Sequence, residues 1–576
     1  MKTLATLISA TVLAYAPIAQ AQVHVPALPE AAHHPNGGRE GMVAAEEKLA
    51  AEAGADMLAK GGNAVDAAVA TAFALAVTYP SAGNIGGGGF MLVYLKDEDR
   101  TIAIDYRETA PAAASRDMYL DANGDVVSED ILHTLKGAGV PGTIAGLLYA
   151  QEKYGKLSRK DVMAPAIRLA EKGYPISYFS TAMVESERAV LMKDAAARAE
   201  FFKPDGSSYL PGDHFKRKDL ARTLKEVSKL GRDGFYKGWV ADALVSEMAA
   251  HGGLVTQADL DGFKVVEREP LRGTYRGYEI VTMPPPSSGG VHLIEMLNML
   301  ETRQPAPGQS DDAENLHFLA EVMRRAYVDR AEHLGDPDFV KVPAAGLMSK
   351  EYAKGLVASI KQKKATPSAM LHEGDPYPYE SSDTTHFSII DADGNMVANT
   401  YTLNASFGSG IVIPGTGIVM NNEMDDFSAA PGVPNYYGLI GGEKNAIEAN
   451  KRPLSSMTPT LVFKNGEPFM ATGAQGGSRI ITTVLQIIVN VVDRGMNIAE
   501  ATDHPRIHNQ WLPDQILVEP GLSADTMRLM EAKGHKFEPV DWYATPHTVM
   551  IEDGWYYGAT DSRRPSGGAC SPDGGC

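Results

Sequence analysis

The sequence predicts an α+β fold, and three observations carry that expectation. Helical periodicity dominates to about residue 370, hairpin signatures dominate after residue 383, and a polar, Pro-rich stretch at 361–383 divides the two textures. From Ala44 to Lys60 the spacing is helical and stops at Gly61-Gly62; Asn63 then caps an apolar helix running toward Tyr79-Pro80. Helical periodicity returns over Thr143–Tyr154, Leu220–Leu230 and Asp312–His333, where Leu316, Leu319, Met323 and Tyr327 share a face. Phe90–Leu95 and Thr101–Tyr106 read as a hairpin. The run Gly86-Gly87-Gly88-Gly89 precedes that strand and opens no helix, which fits a close backbone approach better than a phosphate cradle. After residue 383, Thr385–Asp391 and Met396–Leu403 flank Asp393-Gly394, and Val549–Glu552 and Trp555–Gly558 flank Asp553-Gly554, with glycine free to take positive φ in each turn. A strand at Pro468–Gly473 leads to one long helix, Ile480–Arg494. The stretch at 361–383 has no apolar period and reads as a flexible linker or an exposed cleavage region.

Composition narrows the function. The chain has 576 residues with 53 Lys+Arg against 72 Asp+Glu, and a formal charge of −19 that would repel a phosphate backbone. The expected partner is therefore a small molecule and not nucleic acid. Cys570 and Cys576 are the only cysteines, which excludes a disulfide scaffold and any cysteine-ligated metal centre and leaves the two free to pair in a short C-terminal loop. Lys2, the apolar run Leu4 to Ala16 and the Ala19-Gln20-Ala21 cleavage pattern read as a signal peptide over 1–21. A membrane anchor is the weaker reading because the run is short. Elsewhere Ala67 to Tyr79, about 13 residues, falls below the roughly 18 a bilayer needs. The expectation is an exported protein of the periplasm or exterior, not held by a membrane.

Searches for G-x-S-x-G, the P-loop and H-E-x-x-H find nothing. His504 and His508 have metal-like spacing, but Pro505 between them argues against a shared helical face, and no cofactor or metal is expected. What remains is a hydroxyl nucleophile. Thr384 stands where the linker meets the first strand of the second half, in Asp383-Thr384-Thr385-His386-Phe387-Ser388. His386 is a poor base for it, since two residues along a strand is about 6.6 Å. Taken alone, the segment is more simply an ordinary strand opening. A cut before Thr384 changes that, because the new α-amino group, with an unperturbed pKa of about 8, then sits beside the hydroxyl and can take its proton.

The chain after the signal peptide resembles γ-glutamyltransferase (γ-glutamyl transpeptidase), a member of the N-terminal nucleophile hydrolases. The matching segments run in order: K-G-G-N-A-V-D-A-A-V-A at 60–70, N-I-G-G-G-G-F-M at 84–91, D-Y-R-E at 105–108, T-T-H-F-S at 384–388, T-Y-T-L-N at 400–404, N-N-E-M-D-D-F-S at 421–428, P-G-V-P-N at 431–435, K-R-P-L-S-S-M-T-P-T at 451–460 and G-G-S-R-I-I at 476–481. The resemblance implies a four-layer αββα sandwich assembled from a large subunit (22–383) and a small catalytic subunit (384–576) cut from one precursor between Asp383 and Thr384. It implies Thr384 as nucleophile in both maturation and turnover, Thr402 as the second threonine that orients it with Thr385 assisting, and the N–H groups of Gly476 and Gly477 as oxyanion donors. Without the resemblance, those glycines are simply a turn into the helix. Arg107, Ser455 and Ser456 match the family's α-carboxylate clamp, and Asn404, Glu423 and Asp426 match its α-ammonium side. Pro431–Asn445, with Tyr437, resembles the family's lid loop. The substrates implied are glutathione and other γ-glutamyl compounds, with water, an amino acid or a peptide as acceptor.

Two other readings compete. A glutaryl-type (cephalosporin) acylase of the same superfamily needs no ammonium-binding acids, so Asn404, Glu423 and Asp426 count against it. A catalytically inactive periplasmic binding protein is disfavoured because every residue assigned to chemistry is present.

Overall fold

The computed structural model describes residues 34–304, 311–372, 385–430, 432–541 and 544–576. Two antiparallel sheets form its centre. The first runs in the order Gly568–Cys570, Gly41–Ala45, Thr385–Asp391, Met396–Thr402, Gly88–Leu95, Arg100–Asp105, Val266–Arg268. The second runs Asn36–Gly38, Trp555–Thr560, Thr545–Glu552, Glu467–Thr472, Thr460–Lys464, Tyr278–Thr282, Leu271–Tyr275, with Ala474–Gln475 pairing beside Thr545–Glu552. Strands from the two sides of position 384 interleave in both sheets, so the two textures of the sequence share one body.

Strand periodicity decides what each face meets. In the first sheet Met42, Ala44, Phe90, Leu92, Ile390, Met396 and Ala398 point one way, and there they meet Val281, Leu461, Phe463, Ala471 and Val549 of the second sheet. The alternate residues Val43, Met91, Val93, Phe387, Ile389 and Val397 join a cluster with helices Lys48–Ala59, Ala64–Thr78 and Thr143–Tyr154. On the far side of the second sheet, Ile280, Val462, Met470 and Met550 pack with helices Gly289–Glu301, Ala313–His333 and Arg479–Val492. Both faces of both sheets are therefore dry, which explains continuous apolar strands where alternation with polar residues would mark a half-exposed sheet.

Most element expectations hold within a residue or two. Asn63 caps the helix Ala64–Thr78 through a capping box, accepting from Val65 N and Asp66 N while Asp66 accepts from Asn63 N. The expected hairpins pair, with Phe90 opposite Asp105, Ile390 opposite Met396 and Glu552 opposite Trp555. The Gly86–Gly89 run is a close approach: a Cβ at Gly87 would stand 1.9 Å from Thr402 O. Cys570 and Cys576 are joined in a disulfide.

Two expectations need correction. The helix assigned to Ala44–Lys60 is the strand Gly41–Ala45 followed by the helix Lys48–Ala59; alanine favours helix, but these residues are buried on both faces between ladders, and tertiary pairing overrides the propensity. The described part of the 361–383 stretch is docked and not a free linker, because Thr366 N donates to Glu321 Oε1 at 3.0 Å and Ser368 N to Asp514 Oδ2 at 3.0 Å. The one long helix expected at Ile480–Arg494 is present as Arg479–Val492, and two shorter ones, Ile498–Asp503 and Ala524–Ala532, follow it. The signal-peptide assignment lies outside the described residues, and no described helix is long and apolar enough to cross a membrane.

The layer between the sheets sets a stability test. Leu461 is 0% exposed there, while Leu529 is 49% exposed. Leu461→Ala should cost about 2–5 kcal/mol in urea unfolding, and Leu529→Ala should stay within about 0.5 kcal/mol; equal effects would contradict the assigned core.

Candidate functional site

The site gathers where strand Met396–Thr402 ends against the glycine run. Thr385 pairs with Tyr401 and Thr402 with Gly88, so Thr402 stands at the end of the ladder where the chain enters strand Thr385–Asp391. Thr385 is fully buried, and its hydroxyl has no hydrogen-bond partner among the described residues. Thr384 and Asp383 lie outside the described residues. His386 is occupied elsewhere, with Nδ1 2.9 Å from Thr400 Oγ1 and Nε2 2.8 Å from Ser388 Oγ. Burial, helped by the nearby His547, pushes its pKa well below the usual histidine range and keeps the ring neutral.

Arg107 follows the strand Arg100–Asp105, where Asp105 Oδ1 accepts its backbone N–H at 3.0 Å and turns the chain away from the sheet. Its side chain is 0% exposed. Nη1 donates to Glu423 and Nη2 to Asp426, Nε donates to Pro453 O at 3.1 Å, Nη2 reaches Leu454 O at 3.3 Å, and Glu108 lies 3.7 Å away. Burial alone would lower the guanidinium pKa, but Glu423, Asp426 and Glu108 together raise it, so the cation persists at every working pH. Burial raises Glu423, against the pull of Arg107, and lifts Glu108 to about 7.

The two acids come from one 3-10 turn, Glu423–Asp426. Asn421 holds that turn, its Oδ1 accepting from Gly139 N at 2.8 Å and Glu423 N at 3.0 Å while its Nδ2 donates to Gly86 O at 2.8 Å. Asn404 faces the same turn from the end of the strand. Its φ of 73° is left-handed, which asparagine tolerates. Its N donates to Thr402 Oγ1 at 2.8 Å, and its Nδ2 reaches Asn422 O at 3.1 Å and Asp425 Oδ2 at 3.3 Å. From the expected lid loop, Tyr437 OH donates to Asn404 O at 3.1 Å and Tyr436 N to Asp425 Oδ2 at 3.4 Å. Burial and the neighbouring Asp426 push Asp425 up to about 7.

Ser455 and Ser456 stand beside the acids but do not touch Arg107 through their hydroxyls. Ser455 Oγ accepts from Met457 N at 3.1 Å, and Ser456 Oγ accepts from Arg330. Arg330, 1% exposed on helix Ala313–His333, is a site-facing cation that sequence reasoning missed. The available signal was an arginine on the apolar face three residues after Tyr327. Tyr327 itself donates to Ser478 O, so the same helix braces the turn that follows Gly476-Gly477. Those glycines take φ of 135° and 64°, and Ile480 N donates to Gly477 O at 3.1 Å as the chain enters helix Arg479–Val492. Two residues before Gln475, a Cβ on Gly473 would come within 2.4 Å of the His386 ring, so this glycine segment lies against the start of strand Thr385–Asp391.

His504 and His508 have separate partners, Asp311 at 2.9 Å and Thr482 Oγ1 at 2.9 Å. Ligand atoms of His317, Glu321 and His535 lie within 4.8 Å of one another. The imidazoles of that cluster are hydrogen-bonded to each other at 2.7 Å and Glu321 is taken by Arg325 at 2.7 Å and Thr366 Oγ1 at 2.6 Å, while His535 Nδ1 has no hydrogen-bond partner among the described residues.

A family model described as Gamma-glutamyltranspeptidase matches residues 50–571. The glutathione hydrolase proenzyme of Escherichia coli (strain K12) is 48% identical over 535 residues, which cover 92% of this chain and 91% of that protein. Among solved structures, the cephalosporin acylase from Bacillus halodurans superposes with a TM-score of 0.83 at 28% identity, covering 94% of this chain and 97% of the other. The Helicobacter pylori γ-glutamyltranspeptidase gives a TM-score of 0.54 at 43% identity, covering 57% of this chain and 96% of the other. Since the family match and the 48% identical relative each span most of its length, this chain belongs to the γ-glutamyltranspeptidase family.

Proposed function

We propose that the protein is an exported, self-cleaving enzyme that transfers γ-glutamyl groups to water or to amines, with Thr384 as its nucleophile. The two sheets and their outer helices are then the four-layer αββα sandwich of the N-terminal nucleophile hydrolases. On this reading the signal peptide (1–21) is removed on the way to the periplasm, and the rest is cut into a large subunit (22–383) and a small one (384–576).

The observation that carries the substrate assignment is the fully buried Arg107 with Glu423 and Asp426 on its guanidinium and Asn404 on the same turn. Without ligand, the Arg107 guanidinium is the shared partner of both acids. An α-amino acid head is itself a neutral zwitterion, so its carboxylate can take Arg107 while its ammonium takes the acids, and no charge is left buried alone. A glutaryl chain has no ammonium. It would leave two carboxylates without a counter-charge, and this favours γ-glutamyl over glutaryl amides despite the acylase likeness. Ser455, Ser456 and Arg330 complete the carboxylate side, and Tyr437 closes the lid over Asn404.

In maturation Thr384 Oγ attacks the Asp383 carbonyl carbon, the C–N bond breaks to give an ester, and water hydrolyses it to the Asp383 carboxylate and a free Thr384 α-amine. In turnover that amine takes the hydroxyl proton as Oγ attacks the γ-carbonyl, the Gly476 and Gly477 N–H groups receive the oxyanion, and the proton passes to the leaving amine. Water or an acceptor amine then releases the γ-glutamyl ester. Thr402, hydrogen-bonded to Asn404 N, orients the nucleophile and links it to the head-group site.

Mass spectrometry of the purified protein should find a cut between Asp383 and Thr384, and Thr384→Ala should yield a folded, uncut chain that releases no p-nitroaniline from γ-glutamyl-p-nitroanilide; cleavage elsewhere, or in that variant, would sink the nucleophile assignment. Arg107→Lys keeps the charge but loses the planar fork, so KM for the γ-glutamyl substrate should rise at least about tenfold, with glutaryl-p-nitroanilide a poor substrate for both proteins. Asp425 predicts a pH effect. Below about pH 4 it is protonated folded and unfolded; between about 4 and 7 only the unfolded state ionises, so stability falls by up to about 1.4 kcal/mol per pH unit and then levels off. Thermal midpoints at pH 4.5 and 8 should therefore show Asp425→Asn gaining on the parent at the higher pH, and parallel curves would exclude this.

A further inference from the structure

Gly473, Gly476 and Gly477 surround a two-residue strand, Ala474–Gln475. So many glycines leave the backbone little stiffness of its own, yet oxyanion donors work only when held in place before the charge develops. The side chain of Gln475 supplies an anchor. Its Nε2 donates to Thr545 Oγ1 at 2.5 Å, and its Oε1 accepts from Tyr79 OH at 3.3 Å. The Tyr79 hydroxyl oxygen in turn accepts from Arg564 Nη1 at 3.2 Å, and that nitrogen also pairs with Glu46 Oε1 at 3.2 Å. Glu46 Oε2 meets His547 Nε2 at 2.8 Å, and Arg564 lies over the Phe179 ring at 4.1 Å. None of Glu46, Tyr79, Gln475, Thr545, His547 or Arg564 is more than 5% exposed.

We propose that Tyr79, Arg564 and Glu46 act through Gln475 as positioning residues for the Gly476-Gly477 turn, an assignment that rests on the oxyanion role given to those glycines above. The chemistry of the chain fits a rigid brace. Glu46 balances Arg564, burial holds Tyr79 as a neutral phenol, and a phenol oxygen that accepts from a cation donates more strongly onward to Gln475. Glu46 and Tyr79 precede position 384, whereas Gln475, Thr545 and Arg564 follow it. The brace therefore joins the two sides of the proposed cut and ties the C-terminal tail to the turn.

The oxyanion site serves both formation and breakdown of the ester. Loosening it slows the two half-reactions alike, so kcat falls while KM stays. Tyr79→Phe removes one hydroxyl and keeps the ring. With γ-glutamyl-p-nitroanilide it should lower kcat about tenfold, the size of one weakened donor, with KM within about twofold. Affinity for a γ-boronate analogue of glutamate, which becomes tetrahedral on the nucleophile, should fall by a similar factor while inhibition by glutamate is unchanged. Gln475→Met, which keeps the side-chain length, should do the same. If both variants keep parental kcat and boronate affinity, or lose glutamate and boronate binding equally, the positioning role is wrong. Activity persisting in Thr384→Ala would instead overturn the underlying reading, whatever the Tyr79 variant does. If Tyr79→Phe does not mature, Gln475→Met alone decides by the same two measures.

Discussion

The structure depends on one backbone ladder. The hairpin of Thr385–Asp391 and Met396–Thr402 lies inside the first sheet with every residue buried, and its outer edges are paired by Gly41–Ala45 and Gly88–Leu95. Those partners come from far earlier in the chain. Because the register is fixed by which side chains face the second sheet and which face the helices, a slip of one residue would turn Ile390 and Ala398 out of the inter-sheet layer and His386 into the wrong neighbours. The same ladder delivers Thr402, Asn404, the glycine run and the loop bearing Arg107 to one corner.

Electrostatics then closes that corner. Arg107, Glu423, Asp426 and Glu108 are all fully buried, where each ion costs several kcal/mol to desolvate; pairing with Arg107 offsets part of that cost, and burial raises the pKa of Glu423 and Glu108, which relieves more of it. Asn421 and Asn404 hold the acidic turn through backbone contacts, so the geometry of the charges does not depend on the ligand. Arg330 approaches from helix Ala313–His333 and donates to Ser456.

Local signals were readable in the sequence where the interaction is local. Asn63 with Asp66, and the Asp393-Gly394 and Asp553-Gly554 turns, concern residues a few positions apart, and each forms as expected. The strand Gly41–Ala45 was hidden because an alanine-rich segment buried on both faces carries neither alternation nor branched side chains. The residues of the charged corner could be named only through the family resemblance, since Arg107 and Glu423 are 316 positions apart and no periodicity links them. Arg330 and the Tyr79–Gln475 contact, 396 positions apart, belong to none of the quoted segments and needed the fold itself.

Interleaving has a consequence for the life history of the molecule. In an intact chain, the strands Gly41–Ala45 and Thr385–Asp391 meet by closing a loop, and the connecting residues keep their local concentration high. In a chain cut before Thr384 the same ladder survives, held by its hydrogen bonds and three apolar layers, but the tether is gone. Unfolding such a molecule releases two fragments, each with part of both sheets, and their reunion becomes a bimolecular search by sticky, edge-bearing chains. If the chain is cut there, folding must come before cutting, and the cut molecule would persist through slow unfolding more than through reversible equilibrium.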